Sequence, residues 1–295
     1  MSAKVEITHP DRVLFPADGI TKGDLVAYYT DIAGAMVPHL RGRPLTLWRY
    51  PRGIDQNGFV QQDFADSLPE WMGRVRVAKE DGTVVHPTAD SRDALRWLTN
   101  QNCVIVHAWL SKRDRLRTPD RIVFDLDPTV DDFAVVKATA RTVADVLGDI
   151  GLVSYVQTTG SRGLHVVSPI KPNTDFDAVR QFARDVADVV AADDPAHRTV
   201  EARKAKRGDR LYLDVMRNAY GQTAVAPYAV RARRGAPVAT PLEWDELGRR
   251  GLRADSFTIR DVPERVAERG DPWSDISRRG RSLTRPAQRL AKLLA

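Results

Sequence analysis

The residues best suited to chemistry are two aspartates in one predicted strand. Residues 124–127 read Phe-Asp-Leu-Asp at the end of a β-rich run. Alternate residues of a strand face the same side, so Asp125 and Asp127 project together while Phe124 and Leu126 enter the core. Two carboxylates on one half-buried face repel each other unless a cation lies between them. The pair therefore predicts a metal site.

A third carboxylate, Asp214, stands in the apolar run Leu-Tyr-Leu-Asp-Val. In the strand order expected below, its strand lies antiparallel beside that of Asp125 and Asp127. Three aspartates on one sheet face can hold two Mg²⁺ or Mn²⁺ ions ~3.5–4 Å apart, the arrangement that catalyses nucleotide transfer. No paired histidines and no cysteine spacing offer a competing zinc site. We interpret the three aspartates as metal ligands and catalytic residues.

A short turn between two predicted strands could hold the phosphates of a nucleotide. Residues 159–165 read TGSRGLH, and the two glycines let backbone N–H groups approach an anion. Further basic side chains stand near the acidic motifs, and the first of them, His107, equally suits a core position. The candidates for phosphate contact are Thr159, Ser161, Arg162, His165, His107, Arg207, Arg210, Arg231 and Arg233.

The segments around these motifs predict an α+β fold. Apolar stripes at helical spacing predict helices over Asp131–Ile150 and Phe176–Ala192. The runs RIVFDLDP, LVSYVQ, GLHVVSPI and RLYLDVM predict strands. Their order is β-α-β-β-α-β, the ferredoxin-like or RRM-like unit. In its usual strand order the first strand lies between the third and the fourth, which brings Asp214 and the phosphate turn beside Asp125.

The remaining sequence predicts an N-terminal α/β module merged with this catalytic palm. We expect the module over 1–110, the palm over 111–235, and a C-terminal extension over 236–295 that packs on the same globule, with its last fifteen residues loosely held. Periodicity and capping predict five elements in the module: helices over Thr21–His39 and Asp90–Asn100, and strands over 44–50, 58–62 and Val104–Trp109.

Composition suits a cytoplasmic protein with a polyanionic partner. The net charge of +6 and the pI near 9.5 suit a polyanionic partner. The single cysteine, Cys103, excludes an internal disulfide and a cysteine-cluster metal site. No apolar run approaches the ~20 residues that span a bilayer, and the N-terminus lacks a signal-peptide core. We expect no membrane partner.

The succession of motifs resembles a known family. HPDRVLFP, DLVAYY, RPLTLWRYPRG, VFDLDP, TTGSRGLHV and APYAVRAR occur in the order found in the polymerase domain of bacterial DNA ligase D, a member of the archaeo-eukaryotic primase superfamily. The resemblance runs over nearly the whole chain and implies a bacterial protein of the cytoplasm, associated with the nucleoid. It implies a template-directed polymerase that fills short gaps or extends DNA ends, with Mn²⁺ often preferred. It also implies two substrates: gapped or broken DNA with a 5′-phosphate, and NTP or dNTP, ribonucleotides being preferred.

The resemblance also implies a role for each matching residue. The metal ligands would be Asp125, Asp127 and Asp214. The nucleotide pocket would contain His107, Thr159, Ser161, Arg162, His165, Arg207 and Arg231. Contacts to DNA would come from Arg12 and Lys22 at the downstream 5′-phosphate, from Arg49, Arg52 and Phe59 along the template, and from Arg233.

Two departures from the family pattern concern template handling. Where relatives often show two phenylalanines and a basic residue, this chain has Phe59, Val60, Gln61 and Gln62. One aromatic side chain that could stack on a base is therefore missing. Such stacking is worth about 1–3 kcal/mol per base. A lysine often found after the third aspartate is replaced by Gln222.

The chain has no room for a ligase or phosphoesterase domain, so we expect a stand-alone primase-polymerase. It would act with a separate ligase and with end-joining or excision-repair proteins. Three alternatives stay open. One is a primase that starts chains from two nucleotides. The second is a non-catalytic module that bridges DNA ends, which loss of an aspartate would mark. The third is a metal-dependent phosphodiesterase.

Overall fold

The computed structural model describes residues 5–80 and 82–294. It divides into two compact units, each built from segments distant in sequence. Unit 1 comprises Met1–Asp114, Val225–Thr240 and Phe257–Asp271, and unit 2 comprises Arg115–Ala224, Pro241–Ser256 and Pro272–Ala295. The predicted division of the chain at residues 110 and 235 stays a prediction.

Helices and strands occur throughout the described residues. The α-helices are α1 (Lys22–Asp31), α2 (Ala33–Leu40), α3 (Arg92–Asn100), α4 (Phe133–Asp149), α5 (Phe176–Asp193), α6 (Lys204–Arg207), α7 (Val262–Arg269) and α8 (Thr284–Leu293). The strands are β1 (Val13–Phe15), β2 (Ile20–Thr21), β3 (Leu45–Arg49), β4 (Phe59–Gln61), β5 (Arg74–Lys79), β6 (Gly82–Pro87), β7 (Cys103–Trp109), β8 (Arg121–Asp127), β9 (Tyr155–Thr158), β10 (Leu164–Pro169), β11 (Arg198–Thr199), β12 (Leu211–Asp214), β13 (Thr223–Val225) and β14 (Pro241–Leu242).

Unit 2 is built on a six-stranded sheet in the order β11-β12-β8-β10-β9-β14. Its four central strands, with α4 and α5, form the predicted βαββαβ unit, and β8 pairs antiparallel with both β10 and β12. The helices α4 and α5 contact each other and pack on the sheet. On β8, Ile122, Phe124 and Leu126 are fully buried, whereas Asp125 and Asp127 are partly exposed. The α+β fold and the ferredoxin-like topology are confirmed.

The helix α4 shows why the sequence folds locally as predicted. Asp132 is its N-cap, and the carboxylate accepts hydrogen bonds from the N–H groups of Ala134 and Val135. Such a cap satisfies N–H groups that have no partner within the helix. One side of the helix then buries Val136, Ala140, Val143 and Leu147, which fall on the predicted apolar stripe.

In unit 1, the strands β7, β3 and β4 lie side by side in antiparallel pairs. The helix α1 begins at the predicted N-cap, Thr21, which forms a capping box with Asp24. The single helix predicted over Thr21–His39 is instead two helices, because Ile32 leaves helical geometry with a ψ of −3°. The hairpin of β5 and β6 was not predicted.

The segments after residue 236 contribute to both units. In unit 2, β14 pairs with β9, and the Trp273 indole N–H donates to the Val156 carbonyl at 3.2 Å. The tail that was expected to be loosely held forms α8, which buries Pro286 and Leu290. No helix within residues 5–80 and 82–294 is long and apolar enough to cross a membrane.

Candidate active site

The three aspartates lie on one face of the unit 2 sheet. Asp214 on β12 is paired with Asp125 on β8, and Tyr212 is paired with Asp127. Directly opposite residues of an antiparallel pair have Cβ atoms about 4.5–5.5 Å apart and point to the same side. This face is the one opposite Phe124 and Leu126. Strand pairing thus brings Asp214 to two carboxylates that are far from it in sequence.

Two basic side chains contact Asp125. Its Oδ1 lies 3.4 Å from Nε2 of His165, and its Oδ2 accepts a hydrogen bond from Nε of Arg217 at 3.3 Å. Burial opposes ionisation of this carboxyl, but His165 and Arg217 outweigh that effect and lower its pKa to about 2. A side-chain N–H of Gln157 contacts Nδ1 of His165 at 3.3 Å and so orients the ring. Asp125 is therefore ionised at neutral pH.

The facing carboxyl behaves in the opposite way. Burial raises the pKa of Asp214, and the charge of Asp125 raises it further, although a hydrogen bond from the Met216 N–H opposes both effects. Two carboxylates that face each other on neighbouring strands favour a positive charge between them. A bound cation would relieve the repulsion between Asp125 and Asp214.

The donor set fits a hard divalent cation such as Mg²⁺ or Mn²⁺, which prefers carboxylate oxygens. As the side chains stand in the part of the chain that the structure describes, no three His, Cys, Asp or Glu residues are gathered closely enough to hold a metal. Arg162 donates to Asp127 at 3.0 Å, and Arg217 holds Asp125. A bound cation would compete with these two arginines for the carboxylate oxygens.

The predicted phosphate turn lies at the Asp127 end of β8. Gly160 has a φ of +63°, a conformation that favours glycine. A Cβ on Gly163 would overlap the carbonyl oxygen of Leu126, so only glycine permits this approach to β8. The Thr159 hydroxyl closes the turn, since it donates to the Gly163 carbonyl at 3.0 Å and accepts from its N–H at 3.2 Å.

The turn presents the predicted side chains toward the aspartates. Arg162 is 57% exposed and reaches Asp127, and Ser161 is half-buried at the tip. His165 follows on β10, opposite Asp125. The structure therefore brings the predicted residues of the turn to the carboxylates, and their roles in nucleotide binding stay predictions.

Arg207 supplies a second positive charge at this end. Its Nε donates to the Glu201 carbonyl at 2.9 Å and a terminal N–H donates to that of Ala202 at 2.7 Å. Its guanidinium lies 3.8 Å from the ring centroid of Tyr212, and one nitrogen is 3.9 Å from Asp127. The side chain is only 8% exposed. These contacts fix the charge in place before any ligand binds.

In unit 1, the predicted template residues form a small cluster on paired strands. The guanidinium of Arg49 lies 5.4 Å from the ring centroid of Phe59, and it donates to Gln61 Oε1 at 2.7 Å and to the Gln101 carbonyl at 2.7 Å. Phe59 and Val60 are about half exposed, at 47% and 50%. The cluster presents one aromatic ring and one cation.

The predicted 5′-phosphate residues differ in accessibility. Arg12 is exposed and donates to the Pro51 carbonyl at 3.3 Å. Lys22 is 1% exposed, and its ammonium donates to the Thr8 carbonyl at 2.6 Å. Burial, and then the charge of Arg12, lower the pKa of Lys22. Contact of Lys22 with a phosphate would require it to leave Thr8, so its role stays a prediction.

Four further predicted residues also lie in unit 1. The ring centroid of His107 is 4.4 Å from that of Trp48. Arg231 is half-buried near Tyr50, where its charge opposes the rise that burial causes in the tyrosine pKa. Arg52 and Arg233 are exposed. The roles assigned to these residues stay predictions.

Sequence inspection missed three polar residues of the unit 2 site. Arg217 holds Asp125, Gln157 orients His165, and Asn218 bonds both backbone groups of Val123. The position of Arg217 three residues after Asp214 is the only sequence signal for it. Gln157 lies in a predicted strand, so its pairing with His165 follows from the register of β9 and β10.

Comparison with known proteins places these observations in a family context. The profile of the family described as "LigD, primase-polymerase domain" matches residues 21–273. The "Multifunctional non-homologous end joining DNA repair protein LigD" of Mycobacterium tuberculosis H37Rv is 36% identical over 277 residues, which are 91% of this chain and 36% of that protein. The "Bifunctional non-homologous end joining protein LigD" of Bacillus subtilis is 30% identical over 277 residues, 93% of this chain and 44% of that protein.

A solved structure shows the same likeness. The "Polymerase Domain from Mycobacterium tuberculosis Ligase D in complex with DNA" superposes with a TM-score of 0.88 at 33% identity, over 94% of this chain and 99% of that one. The chain thus spans less than half the length of the curated relatives it matches, and nearly all of the solved domain. The resemblance predicted from the motifs is confirmed.

Proposed function

Because the chain belongs to the LigD primase-polymerase domain family, we propose that it is a metal-dependent nucleotidyltransferase that adds nucleotides to a DNA 3′ end opposite a template. The single observation that carries the proposal is the pairing of Asp214 with Asp125 on the sheet face that also bears Asp127. The names of the relatives and of the DNA-bound neighbour support DNA ends as the substrate and end joining as the process.

In the proposed reaction, the 3′-oxygen of the primer attacks the α-phosphorus of a nucleoside triphosphate. The new P–O bond forms as the bond between the α-phosphorus and the bridging oxygen breaks. Pyrophosphate leaves with the bonding electrons, and the proton of the 3′-hydroxyl passes to solvent. Divalent ions, when bound, supply positive charge for the attacking and leaving oxygens. We propose Mn²⁺ or Mg²⁺, two ions in all, on Asp125, Asp127 and Asp214.

The other residues of unit 2 would bind and orient the triphosphate. Arg162, which is exposed and contacts Asp127 at 3.0 Å, would release this carboxylate and bind a phosphate instead. Arg207 contributes a charge that costs no reorganisation, because two backbone carbonyls already hold its guanidinium. His165 is fixed beside Asp125 by Gln157 and can donate to a phosphate oxygen.

We propose that ribonucleotides are preferred over deoxyribonucleotides by roughly ten- to a hundredfold in kcat/KM. The turn at 159–165 is small, polar and basic, with no aromatic side chain to exclude a 2′-hydroxyl. A site whose polar groups hydrogen-bond this hydroxyl leaves those groups unpaired when a deoxyribonucleotide binds. Each unpaired group costs about 1–3 kcal/mol. Tyr228 is no obstacle as placed in unit 1, where its ring is 1% exposed and its hydroxyl donates to Asp271 at 2.7 Å.

The test is primer extension on a gap of one to three nucleotides, with and without a 5′-phosphate, comparing rNTP and dNTP under Mn²⁺ and Mg²⁺. The double variant Asp125→Ala, Asp127→Ala should lose extension yet bind DNA nearly as well as the wild type, because affinity for DNA rests on contacts to phosphate. Asp131→Ala is the matched control, since this carboxylate is 79% exposed. Extension by the double variant at wild-type rates would refute two-metal catalysis.

A further inference from the structure

The C-terminal segment of the chain, residues 276–295, is strongly basic. It contains no aspartate or glutamate and six basic residues, which are Arg278, Arg279, Arg281, Arg285, Arg289 and Lys292. The whole chain has 45 lysines and arginines against 39 aspartates and glutamates, so the charges outside this segment balance at 39 of each. The segment also lies beyond residues 21–273, which the family profile matches. Its charge is therefore not explained by the family match.

The six basic side chains of this segment are all exposed. Arg279 is paired with Asp275 at 3.7 Å. Within residues 5–80 and 82–294, the other five form no ion pair with a carboxylate. The segment therefore presents a positive charge that its neighbours do not neutralise, and such a surface attracts a polyanion.

The helix α8 arranges three of these charges in a row. Arg285, Arg289 and Lys292 follow one another at spacings of four and three residues, so they share one side of the helix. Pro286 and Leu290 form a second stripe, which is buried, and α8 contacts α5. Packing of the apolar stripe thus leaves the basic stripe exposed to solvent.

This basic surface lies away from the three aspartates. Ile170, which follows β10, forms a parallel bridge with Arg281. Because Pro169 of β10 pairs with Arg121, this attachment lies at the end of β8 opposite to Asp127. The helix α5, which α8 contacts, belongs to the layer on the sheet face opposite the aspartates. The segment is therefore separate from the proposed nucleotide site.

We propose that residues 276–294 form a second DNA-binding surface, which holds the phosphate backbone of duplex DNA without regard to sequence. From Arg285 to Lys292 the helix rises ~10 Å. Duplex DNA carries one negative charge per ~1.7 Å of its axis, so a duplex along α8 presents about six phosphates over that length. Neutralising phosphates releases their counterions, which favours binding. The inference shares with the proposed function only its partner, DNA, and needs no step of the catalysis.

An anionic membrane is the other polyanionic surface that a basic amphipathic helix can bind. Such a helix buries its apolar side in the lipid. In α8, Pro286 and Leu290 are already buried in the folded protein, so this side is occupied. Duplex DNA needs only the exposed cations and therefore fits the surface better.

The test is the salt dependence of affinity for a covalently closed dumbbell duplex, measured by fluorescence anisotropy in EDTA. This DNA has no end and no gap, so it does not require the site of nucleotide addition. The triple variant Arg285→Gln, Arg289→Gln, Lys292→Gln should lower the slope of log affinity against log salt by about two to three. At about 0.1 M salt it should bind at least about tenfold more weakly. Replacement of the two arginines by lysine should leave the slope unchanged, because the contact depends on charge.

The matched control removes three charges elsewhere in unit 2. Arg141→Gln, Arg249→Gln, Arg250→Gln replaces three exposed arginines and lowers the net charge equally, yet it should keep the wild-type slope. Both triple variants should keep the wild-type melting temperature, because exposed substitutions change stability little. Both should also extend a gapped primer at the wild-type rate when DNA is saturating.

The outcomes are distinct from those that test the proposed function. Equal slopes for the wild type and the α8 variant would overturn this inference, and so would an equal loss in both triple variants. It would also be overturned if the α8 variant lost binding to phosphatidylglycerol vesicles but kept wild-type affinity for the dumbbell. Failure of the wild type to extend any primer would instead refute the proposed function, whatever the dumbbell binding shows.

Discussion

Replacement of Asn218 should weaken unit 2 more than any exposed polar substitution. Asn218 is fully buried, and its amide takes the place of a strand partner for Val123 after β12 has ended at Asp214. The Val123 N–H donates to Oδ1 at 2.9 Å, and Nδ2 donates to the carbonyls of Val123 at 2.7 Å and Val215 at 2.9 Å. These three bonds fix the segment that carries Arg217.

The expected loss follows from counting these groups. Asn218→Ala removes three hydrogen bonds and leaves the N–H and carbonyl of Val123 buried without partners. Each such group costs about 1–3 kcal/mol, so the free energy of unfolding should fall by about 2–6 kcal/mol. At roughly 2–4 °C per kcal/mol, the Tm should fall by about 4–24 °C. Asn218→Asp should lose at least as much, because it sets a carboxylate against two carbonyl oxygens.

The assay is urea unfolding followed by circular dichroism, with primer extension on the same samples. Asn173→Ala is the control, since Asn173 is an exposed asparagine of the same unit, and it should stay within about 0.5 kcal/mol of the wild type. Extension by Asn218→Ala should also fall at temperatures where the protein is folded, because Arg217 and Asp214 lose their support. A loss below about 0.5 kcal/mol for Asn218→Ala would refute the reasoning.

Three further predictions concern steric fit, pH and phosphate recognition. Gly163→Ala should lower nucleotide incorporation by up to about a hundredfold, as measured by single-turnover extension, because its Cβ would push the turn away from Leu126; an unchanged rate would contradict the role of the turn. Burial lowers the pKa of His86 in the folded protein below its ordinary value of 6.5. As the pH falls below 6.5, the unfolded chain therefore binds a proton before the folded protein does. The free energy of unfolding should then fall by up to about 1.4 kcal/mol per pH unit. Urea unfolding at pH 5 and 7.5 should show this loss in the wild type and less of it in His86→Gln. Arg12→Ala should abolish the preference for 5′-phosphorylated gaps without slowing extension on an open template, whereas an equal loss on both substrates would make Arg12 a general backbone contact.

The predictions that succeeded rest on local periodicity. Helical spacing identified α4 and α5 almost to the residue, because each buries one continuous stripe against the sheet. Strand alternation placed Asp125 and Asp127 on one face, since the period of two is a property of any strand. Thr21 was recognised as a cap because its hydroxyl acts within one turn of its own residue.

The sequence by itself therefore determined the order of the elements, the two neighbouring aspartates and the polar turn, all of which depend on residues close together along the chain. The pairing of Asp214 with Asp125 could be expected only through the strand order of a known topology. Other features were decided by the tertiary structure alone. They are the break between α1 and α2 at Ile32, the contact of Arg217 with Asp125, and the hydrogen bonds of Asn218 to Val123. The contacts of Arg217 and Asn218 depend on side-chain directions and on packing between residues about ninety positions apart, where no local period carries the information.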